Sequence, residues 1–411
     1  MGSHTLARFF GNLTIRRKLF LIAVVAAVPT AVLLFIVLTG QSADLNQAQQ
    51  ERRGVEFTAP VQRLLQDVQL HRDLAATLLA GDQSYAQRLQ DSAADVDKDM
   101  KAVDAVDKRY GGRFHAHDRV NTIKQSWQSL GGNTPNLTQQ ASFDQHTALI
   151  NGQIIPLIYE VGDSSGLLRD PRAASNHIAA ALVNNVPQTT EALSESRAYG
   201  AAILAGASAH KRTLALASAE RDFLVGETGQ VQSTTTLTTR ELDAAVKADP
   251  AQRAALGVKI QAADGDNEQF VAISKSLLLD GTNLSADTES FFRQATDAIN
   301  STFDLSDTSS GILHDLLNSR VSQTNTARLF SFGVAAGGIS LVTVLILFVV
   351  LSITQRVARL VSAADRISLG DLNAEVNIEG NDELGELAQS FERMQSSLQA
   401  AIDRLRTRRA S

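Results

Sequence analysis

Two long apolar runs without any charged residue constrain the fold of this chain more than any other feature. The first covers residues 19–38 and the second residues 329–353. A helix rises ~1.5 Å per residue, so about twenty residues are enough to cross a bilayer. A buried core helix is rarely free of charge for so long, and a cleaved signal peptide has a shorter apolar core and a small-residue cleavage motif. We therefore predict two transmembrane helices, at 19–39 and 329–353.

Basic residues flank both runs on the side away from the long segment between them. They are Arg8, Arg16, Arg17 and Lys18 before the first run and Arg356 and Arg359 after the second. Lys and Arg accumulate on the cytoplasmic side of membrane spans. Residues 1–18 and the C-terminal region are thus expected in the cytoplasm, and residues 40–328 form an extracytoplasmic domain. The pattern is typical of a receptor in a bacterial inner (plasma) membrane.

Composition excludes several classes of function. The chain has 411 residues, and its net charge of −6 gives no reason to expect a nucleic-acid partner. It has no cysteine, which excludes disulfides and thiolate sites. No spacing typical of a nucleophilic, phosphate-binding or zinc-dependent enzyme occurs, and we predict no catalytic residue, no cofactor and no metal site. His115 and His117 lack a third ligand at a recognisable spacing and are interpreted as residues of a solvated loop.

The segment between the spans has the periodicity of helices. Aromatic residues make up only 5 % of the chain, whereas Ala and Leu are plentiful, a mixture that favours helices over sandwiches or barrels. Between residues 61 and 79, for example, the apolar positions gather on one side at 3.6-residue spacing. We predict about eight helices, of which the first continues the first span outward and the last leads into the second. The fold class is therefore all-α.

An internal repeat divides this domain into two halves. Residues 71–81 (HRDLAATLLAG) are echoed by residues 196–206 (SRAYGAAILAG). Each copy has an arginine, Arg72 or Arg197, nine residues before a glycine that closes an apolar stretch. The simplest architecture is two packed helical bundles related by duplication, each with one arginine in its interior.

This pattern resembles the NIT domain, the nitrate- and nitrite-sensing domain of bacterial receptors. The resemblance implies an anion held between helices by arginines, with Arg72 as the first candidate ligand, Arg197 as the second and Arg221 as a weak third. Guanidinium is a planar fork that can donate two parallel hydrogen bonds to a planar nitrate ion. The alternative is that Arg72 pairs with a carboxylate, Asp67 or Asp73, and is structural.

Two apolar stripes at heptad spacing follow the second span, separated by a Gly-Asp break. The stripes comprise Val357, Leu360, Ala364 and Ile367, then Leu384, Leu387, Phe391, Met394 and Leu398. The accompanying motif residues are Gly370, Asp371, Asp382 and Glu383. Residues 354–406 resemble the HAMP domain, which implies a homodimer that forms a parallel four-helix bundle. The family often has proline where this chain has Arg356, so the helix leaving the membrane is expected to be more continuous.

The combined pattern predicts a transmembrane signal-transducing receptor. We expect it to sense nitrate or nitrite outside and to relay the signal through HAMP to a cytoplasmic output, a histidine kinase domain or a response regulator. No such module follows HAMP in this sequence, so residues 407–411 are interpreted as a truncated tail, unless the output belongs to a separate partner. Alternatives are a chemoreceptor-type sensor and a ligandless membrane scaffold that binds envelope or partner proteins. A bound anion is expected to relieve the repulsion between the two arginines and draw their helices together.

Overall fold

The computed structural model describes residues 15–210, 216, 218–280, 287–376, 378, 380 and 382–410. Arg8, most of the predicted cytoplasmic segment 1–18 and the last residue of the predicted tail lie outside this set. The regular elements of the described residues are all helical, so the fold is all-α as predicted. The chain forms two compact units. One, the sensor unit, runs from Ala43 to Thr324, and the other comprises the described residues on either side of it.

Two long helices contain the apolar runs. Helix α1 (Ile15–Leu79) has 65 residues and helix α10 (Thr288–Ser368) has 81 residues. Both are long and apolar enough to cross a membrane, and their most apolar windows are not buried by the rest of the protein. Large apolar side chains such as Phe20 and Phe348 are exposed along these windows, as expected for helices that face lipid. The prediction that the first and last helices of the outer domain continue the apolar runs is confirmed.

The other helices of the sensor unit are shorter. They are α2 (Ala86–Val106), α3 (His117–Leu130), α4 (Gln139–Leu149), α5 (Ile155–Ser164), α6 (Ala173–Ala180), α7 (Val186–His210), α8 (Ser218–Ala248) and α9 (Arg253–Ser274). A π-helical turn joins α4 to α5, and another joins α6 to α7. When two helices joined by a π-helical turn are counted as one, the described part of the unit has eight helical segments, including α1 and α10. The sequence predicted about eight helices.

The core of the sensor unit is divided into apolar clusters that α1 links. One cluster joins the middle of α1 to α2, α3, α4 and α5. Two others join α1 to α6, α7, α8, α9 and α10, and one of them also includes Leu89 of α2. The two copies of the sequence repeat end differently. Gly81, with φ +124°, follows the end of α1, whereas Gly206 lies inside α7 because that helix continues to His210.

The second helical pair lies beyond the second apolar run. Helix α10 ends at Ser368, and Gly370 adopts φ +95°, a conformation that favours glycine. Helix α11 (Glu383–Ala410) begins after Asp382, whose Oδ1 accepts a hydrogen bond from the Gly385 amide at 3.0 Å. As expected without a proline, α10 runs unbroken through Arg356, whose Nη1 donates to Asp382 Oδ2 at 2.7 Å.

The predicted HAMP core residues fall into two groups. Leu360 and Ile367 are buried, and Leu384 and Phe391 pack against the same small core. The buried residues that the heptad prediction missed are Ala363, Ala374, Val376 and Ala388. The remaining predicted positions are only half-buried or exposed within one chain, namely Val357, Ala364, Leu387, Met394 and Leu398.

Candidate functional site

The two repeat arginines are fully buried in the sensor unit. Arg72 on α1 is 0 % exposed and Arg197 on α7 is 1 % exposed. Small residues around them, including Ala75 and Ala201, are buried in the same core and let the two helices approach closely. Arginine stays charged at any relevant pH, so a guanidinium in such a place requires compensating groups.

Arg72 uses every N–H of its guanidinium. Nη1 donates to Glu191 Oε1 at 2.7 Å and Nη2 to Glu191 Oε2 at 3.2 Å, which is a bidentate ion pair. Nη1 also donates to Thr147 Oγ1 at 3.0 Å, and Nη2 to Ser194 Oγ at 2.8 Å. Nε donates to Asp73 Oδ1 at 3.1 Å. The side chain is therefore held by residues of α1, α4 and α7.

Asp73 joins the two arginines into one cluster. Its Oδ2 accepts hydrogen bonds from Arg197 Nε and from Ser194 Oγ, both at 2.7 Å. Arg197 Nη1 donates in addition to Thr296 Oγ1 of α10 at 2.9 Å. The expectation that the two arginines repel each other and hold their helices apart is wrong, because a carboxylate lies between them and binds both.

The cluster contains more carboxyl groups than arginines. Glu195 Oε1 lies 3.6 Å from Arg72 Nη1, and Glu191 also accepts a hydrogen bond from Gln69 Nε2 at 2.9 Å. Burial and the negative charge of Glu191 raise the pKa of Glu195 to about 8. Burial, again with Glu191, raises the pKa of Glu227 on α8 to about 7. Part of this acid cluster is therefore protonated near neutral pH.

Aromatic rings cover the two guanidinium groups. The Phe143 ring centroid lies 5.2 Å from the Arg72 guanidinium carbon, and the Phe292 centroid lies 4.9 Å from that of Arg197. Phe143 also lines a cavity of about 400 Å³ with Tyr199 and Phe223. Phe143 therefore contacts both the Arg72 guanidinium and the cavity.

A pair of buried histidines fixes α4 to α1 beside Arg72. His146 Nδ1 donates to the Ser142 carbonyl oxygen at 2.7 Å, so its Nε2 accepts from His71 Nδ1 at 2.9 Å. Burial lowers the pKa of His71 to about 4 and that of His146 to about 3. Both rings are neutral at neutral pH and hold the helix of Thr147 in place.

Two of the predicted residues lie apart from this cluster. Arg221 is exposed on α8 and donates to the Leu279 carbonyl oxygen at 2.6 Å. Asp67 does not pair with Arg72. Burial and the neighbouring Asp99 raise the pKa of Asp67 to about 7. Of the two carboxylates proposed as structural partners, Asp73 is the one that Arg72 contacts.

His117, interpreted from the sequence as a residue of a solvated loop, is instead the first residue of α3, and its side chain is half exposed. Its Nδ1 lies 2.7 Å from Asp107 Oδ2, so it pairs with the carboxylate at the end of α2. His115 adopts φ 57° at the turn before α3. Among the described residues, no group of three or more potential ligands is placed to hold a metal ion.

A second buried arginine cluster was not anticipated. Arg320 of α10 is buried, and its Nη1 donates to Glu51 Oε2 at 3.0 Å and to Asp170 Oδ1 at 3.2 Å. Burial and the charge of Asp170 raise the pKa of Glu51 to about 7. This cluster ties α1 and α10 to the loop between α5 and α6.

Comparison with known families identifies two modules. The family described as nitrate and nitrite sensing (NIT) matches residues 63–314, and the HAMP domain family matches residues 348–400. The fold is similar to that of the NasR transcription antiterminator, with a TM-score of 0.51 and 14 % identity over 88 % of this chain and 94 % of that one.

Curated relatives match over a short segment. The methyl-accepting chemotaxis proteins McpB and McpA of Bacillus subtilis are 50 % identical over 58 residues and 41 % identical over 69 residues. A putative sensory transducer protein of Acetivibrio thermocellus is 42 % identical over 57 residues. These segments cover 14 %, 17 % and 14 % of this chain, and only 8 %, 10 % and 10 % of the three relatives.

Proposed function

This chain belongs to the nitrate and nitrite sensing (NIT) family, and on that premise we propose that its sensor unit binds nitrate or nitrite at Arg72. The family and the HAMP domain make it a signal-transducing sensor. The two apolar helices make it a receptor of the inner membrane. In the proposed mechanism the anion and the Glu191 carboxylate compete for the same guanidinium.

The bidentate pair between Arg72 and Glu191 carries this proposal. A carboxylate presents two oxygens on a planar edge, and nitrate and nitrite present the same edge to a guanidinium fork. Glu191 thus occupies the position that a planar anion would take on Nη1 and Nη2. The nearby Thr147 hydroxyl could donate a further hydrogen bond to the anion, and Arg197 keeps its own carboxylate, Asp73.

Exchange of the two ligands supplies a switch. The cavity next to Phe143 gives the anion a short path to Arg72. When the anion replaces Glu191, α7 loses a bidentate contact to α1, and α1 is the helix that continues into the first apolar run. A ligand shifts a two-state equilibrium only through its different affinities for the two states, and a 100-fold difference is worth about 2.7 kcal/mol.

The sensor unit is proposed to lie outside the cytoplasm, with both termini inside. The basic residues beside the apolar runs support this orientation. Protease added to intact spheroplasts should then cut the sensor unit and spare the HAMP region. Protection of the sensor unit would contradict this topology.

The HAMP module is proposed to act as a homodimer. Leu387, Met394 and Leu398 form a stripe on α11 that remains 45 %, 45 % and 42 % exposed within one chain. A second copy of the module would bury this stripe in a parallel four-helix bundle. We assign the chain itself no catalytic step and propose that it passes the signal to a cytoplasmic output.

The output is proposed to be a histidine kinase domain or a response regulator. The similarity to methyl-accepting chemotaxis proteins favours the chemoreceptor alternative, but it covers only a short segment of 57 to 69 residues. A ligandless scaffold is the remaining alternative. A scaffold of this kind would bind none of the four anions nitrate, nitrite, chloride and sulfate.

Calorimetric titration of the full chain in a membrane mimic tests the ligand. Nitrate or nitrite should produce binding heat. Chloride has a single acceptor atom, and sulfate is a larger tetrahedral dianion that adds two negative charges to a buried acid cluster, so both should produce little. Glu191→Gln removes the competing charge and should tighten nitrate binding, while Glu268→Gln, at an exposed acid of α9, should leave it unchanged. Equal heats for all four anions, or no heat for any, would overturn the proposal.

A further inference from the structure

The buried acid cluster around Arg72 points to a second ligand of the same site. We propose that the sensor unit takes up a proton together with the anion, and that Glu195 sets the resulting dependence of anion affinity on pH. This inference rests on the proposed function, because it concerns the anion that replaces Glu191.

The arrangement of charges is the first step. Two guanidinium groups face four carboxyl groups, those of Asp73, Glu191, Glu195 and Glu227. Asp73 already binds both arginines, so Glu191 and Glu195 share what remains of Arg72. If every carboxyl group were ionised, the cluster would carry two negative charges in a buried place, and an incoming anion would add a third. A proton is the simplest compensation.

The second step is the geometry of Glu195. It lies one helical turn after Glu191 on α7, and the two side chains approach the same Arg72 Nη1, at 3.6 Å and 2.7 Å. Glu195 has the longer contact and is nearly buried, so its charged form is less well compensated than that of Glu191. Its raised pKa, about 8, agrees with this difference.

The third step is the set of groups that could hold the proton. The titratable and charged side chains facing the cluster are His71, Arg72 and Asp73 of α1, Arg88 of α2, His146 of α4, Glu191, Glu195, Arg197 and Tyr199 of α7, and Glu227 of α8. The histidines stay neutral at neutral pH because burial keeps their pKa values low, and Tyr199 stays neutral because burial raises its pKa. The arginines stay charged. Burial raises the pKa of Asp73, but the hydrogen bonds that its two oxygens accept from the arginines favour its charged form. Among the described residues of the cluster, this leaves Glu195 and Glu227 as the groups whose pKa lies near neutral pH.

The balance of the step is simple. One anion enters from solvent and displaces the Glu191 carboxylate from Arg72. The anion adds a negative charge beside Glu195, which favours the protonated form of that carboxyl group. One proton enters from solvent and binds to Glu195. The net charge of the cluster is unchanged, and no covalent bond of the anion is made or broken.

Calorimetry of the full chain with nitrate, in two buffers of different ionisation enthalpy, measures this proton directly. Because the pKa of Glu195 is about 8 before the anion binds, we expect an uptake of about half a proton per nitrate at pH 8 that approaches one above pH 9. Nitrate affinity should be nearly constant below pH 7 and fall above pH 8, by up to about tenfold per pH unit when one full proton is coupled.

A pair of variants separates Glu195 from general effects of charge. Glu195→Gln is a neutral, hydrogen-bonding mimic of the protonated side chain. It should bind nitrate more tightly than the wild type above pH 9 and show a flatter pH dependence. Glu268→Gln removes the same charge from an exposed position and should follow the wild-type curve.

The outcomes distinguish the inference from the function on which it rests. Nitrate binding with unchanged affinity from pH 7 to pH 10 and no proton uptake would overturn the inference and leave the proposed function standing. A wild-type slope that Glu195→Gln does not flatten would overturn the role of Glu195. Absence of nitrate binding at pH 6 would overturn both. Because proton uptake is measured on the wild type, the test holds even if a variant fails to fold.

Discussion

The sensor unit and the HAMP module place their charges and their apolar side chains in opposite ways. The sensor unit buries Arg72, Arg197 and Arg320 completely or nearly so and matches each with carboxylates of the same chain. The HAMP module keeps its ion pairs at the surface, as between Arg366 and Asp371 at 2.6 Å. It leaves part of its apolar heptad stripe exposed.

This difference indicates what each region can respond to. A buried ion pair contributes little net stability, but removing one partner is costly, so the sensor unit can change state when a charged ligand replaces an internal partner. In the HAMP stripe, Leu387, Met394 and Leu398 stay exposed within one chain. In the proposed homodimer, the response of the module would depend on how two copies pack, because burial of apolar surface is the main force available to these side chains.

The largest effect is expected from breaking the shared carboxylate of the sensor unit. Asp73→Asn places an amide N–H₂ where both arginines donate, and leaves Arg197 without its carboxylate. We expect a loss of about 3–5 kcal/mol in the free energy of unfolding. Urea denaturation of the full chain in detergent micelles measures it.

The matched control is Asp163→Asn. Asp163 pairs with Arg169 at 2.7 Å, but both side chains are at least half exposed, so the loss should stay within about 1 kcal/mol. If the two substitutions cost the same, the buried cluster does not hold the sensor unit together.

A smaller effect is expected at the HAMP stripe. Leu398→Glu would put a carboxylate of each copy into the proposed bundle core and weaken the dimer by about 2–3 kcal/mol, roughly a hundredfold in dissociation constant. Ser397→Cys supplies the only thiol of the chain for disulfide cross-linking, since the sequence has no cysteine.

Gln389→Glu is the matched control, because Gln389 is exposed two positions away from the stripe residue Leu387. Cross-linking should fall with Leu398→Glu and persist with Gln389→Glu. Equal cross-linking in both variants would mean that the stripe is not an interface.

For a change of one pH unit, the pH dependence of stability should be the smallest effect, and it has two opposite limbs. The pKa of Glu195 is raised from 4.5 to about 8, so the folded state holds a proton that the unfolded chain releases, and stability falls as pH rises through this window. The pKa values of His71 and His146 are lowered from 6.5, so stability falls as pH drops below 6.5. Each proton contributes at most about 1.4 kcal/mol per pH unit.

Thermal unfolding of the full chain from pH 5 to pH 9 measures both limbs. Glu195→Gln should flatten the alkaline limb and leave the acid limb unchanged. An unaltered alkaline limb in this variant would assign the proton to another group, such as Glu227.

The sequence predicts the helices and the arginines much better than it predicts the arginines' partners. Apolar runs and heptad spacing are local patterns, and they anticipate α1, α10 and the HAMP stripes. Arg72 is conspicuous because a charge interrupts a small, apolar helix face.

The partner of Arg72, however, is Glu191, which lies 119 positions further along the sequence. Arg320 likewise pairs with Glu51, which is 269 positions distant in the sequence. No periodicity links such residues, because the packing of separate helices alone brings them together. Glu191, Ser194 and Glu195 do lie three to four residues apart on α7, before Arg197. That polar face of an otherwise apolar helix is the one local signal that could have identified them.

Nitrate-induced thermal stabilisation in three proteins tests the exchange of Glu191 for an anion most directly. The three proteins are the wild type, Arg72→Lys and the control Arg320→Lys. Arg72→Lys keeps the charge of the site but lacks the planar fork of the guanidinium. Arg320→Lys makes the same change in the other buried arginine cluster. At a nitrate concentration 100 times the dissociation constant, the wild type and Arg320→Lys should gain about 2.7 kcal/mol, and Arg72→Lys should gain far less. Equal stabilisation of all three proteins would contradict the account, because Arg72 would then be purely structural.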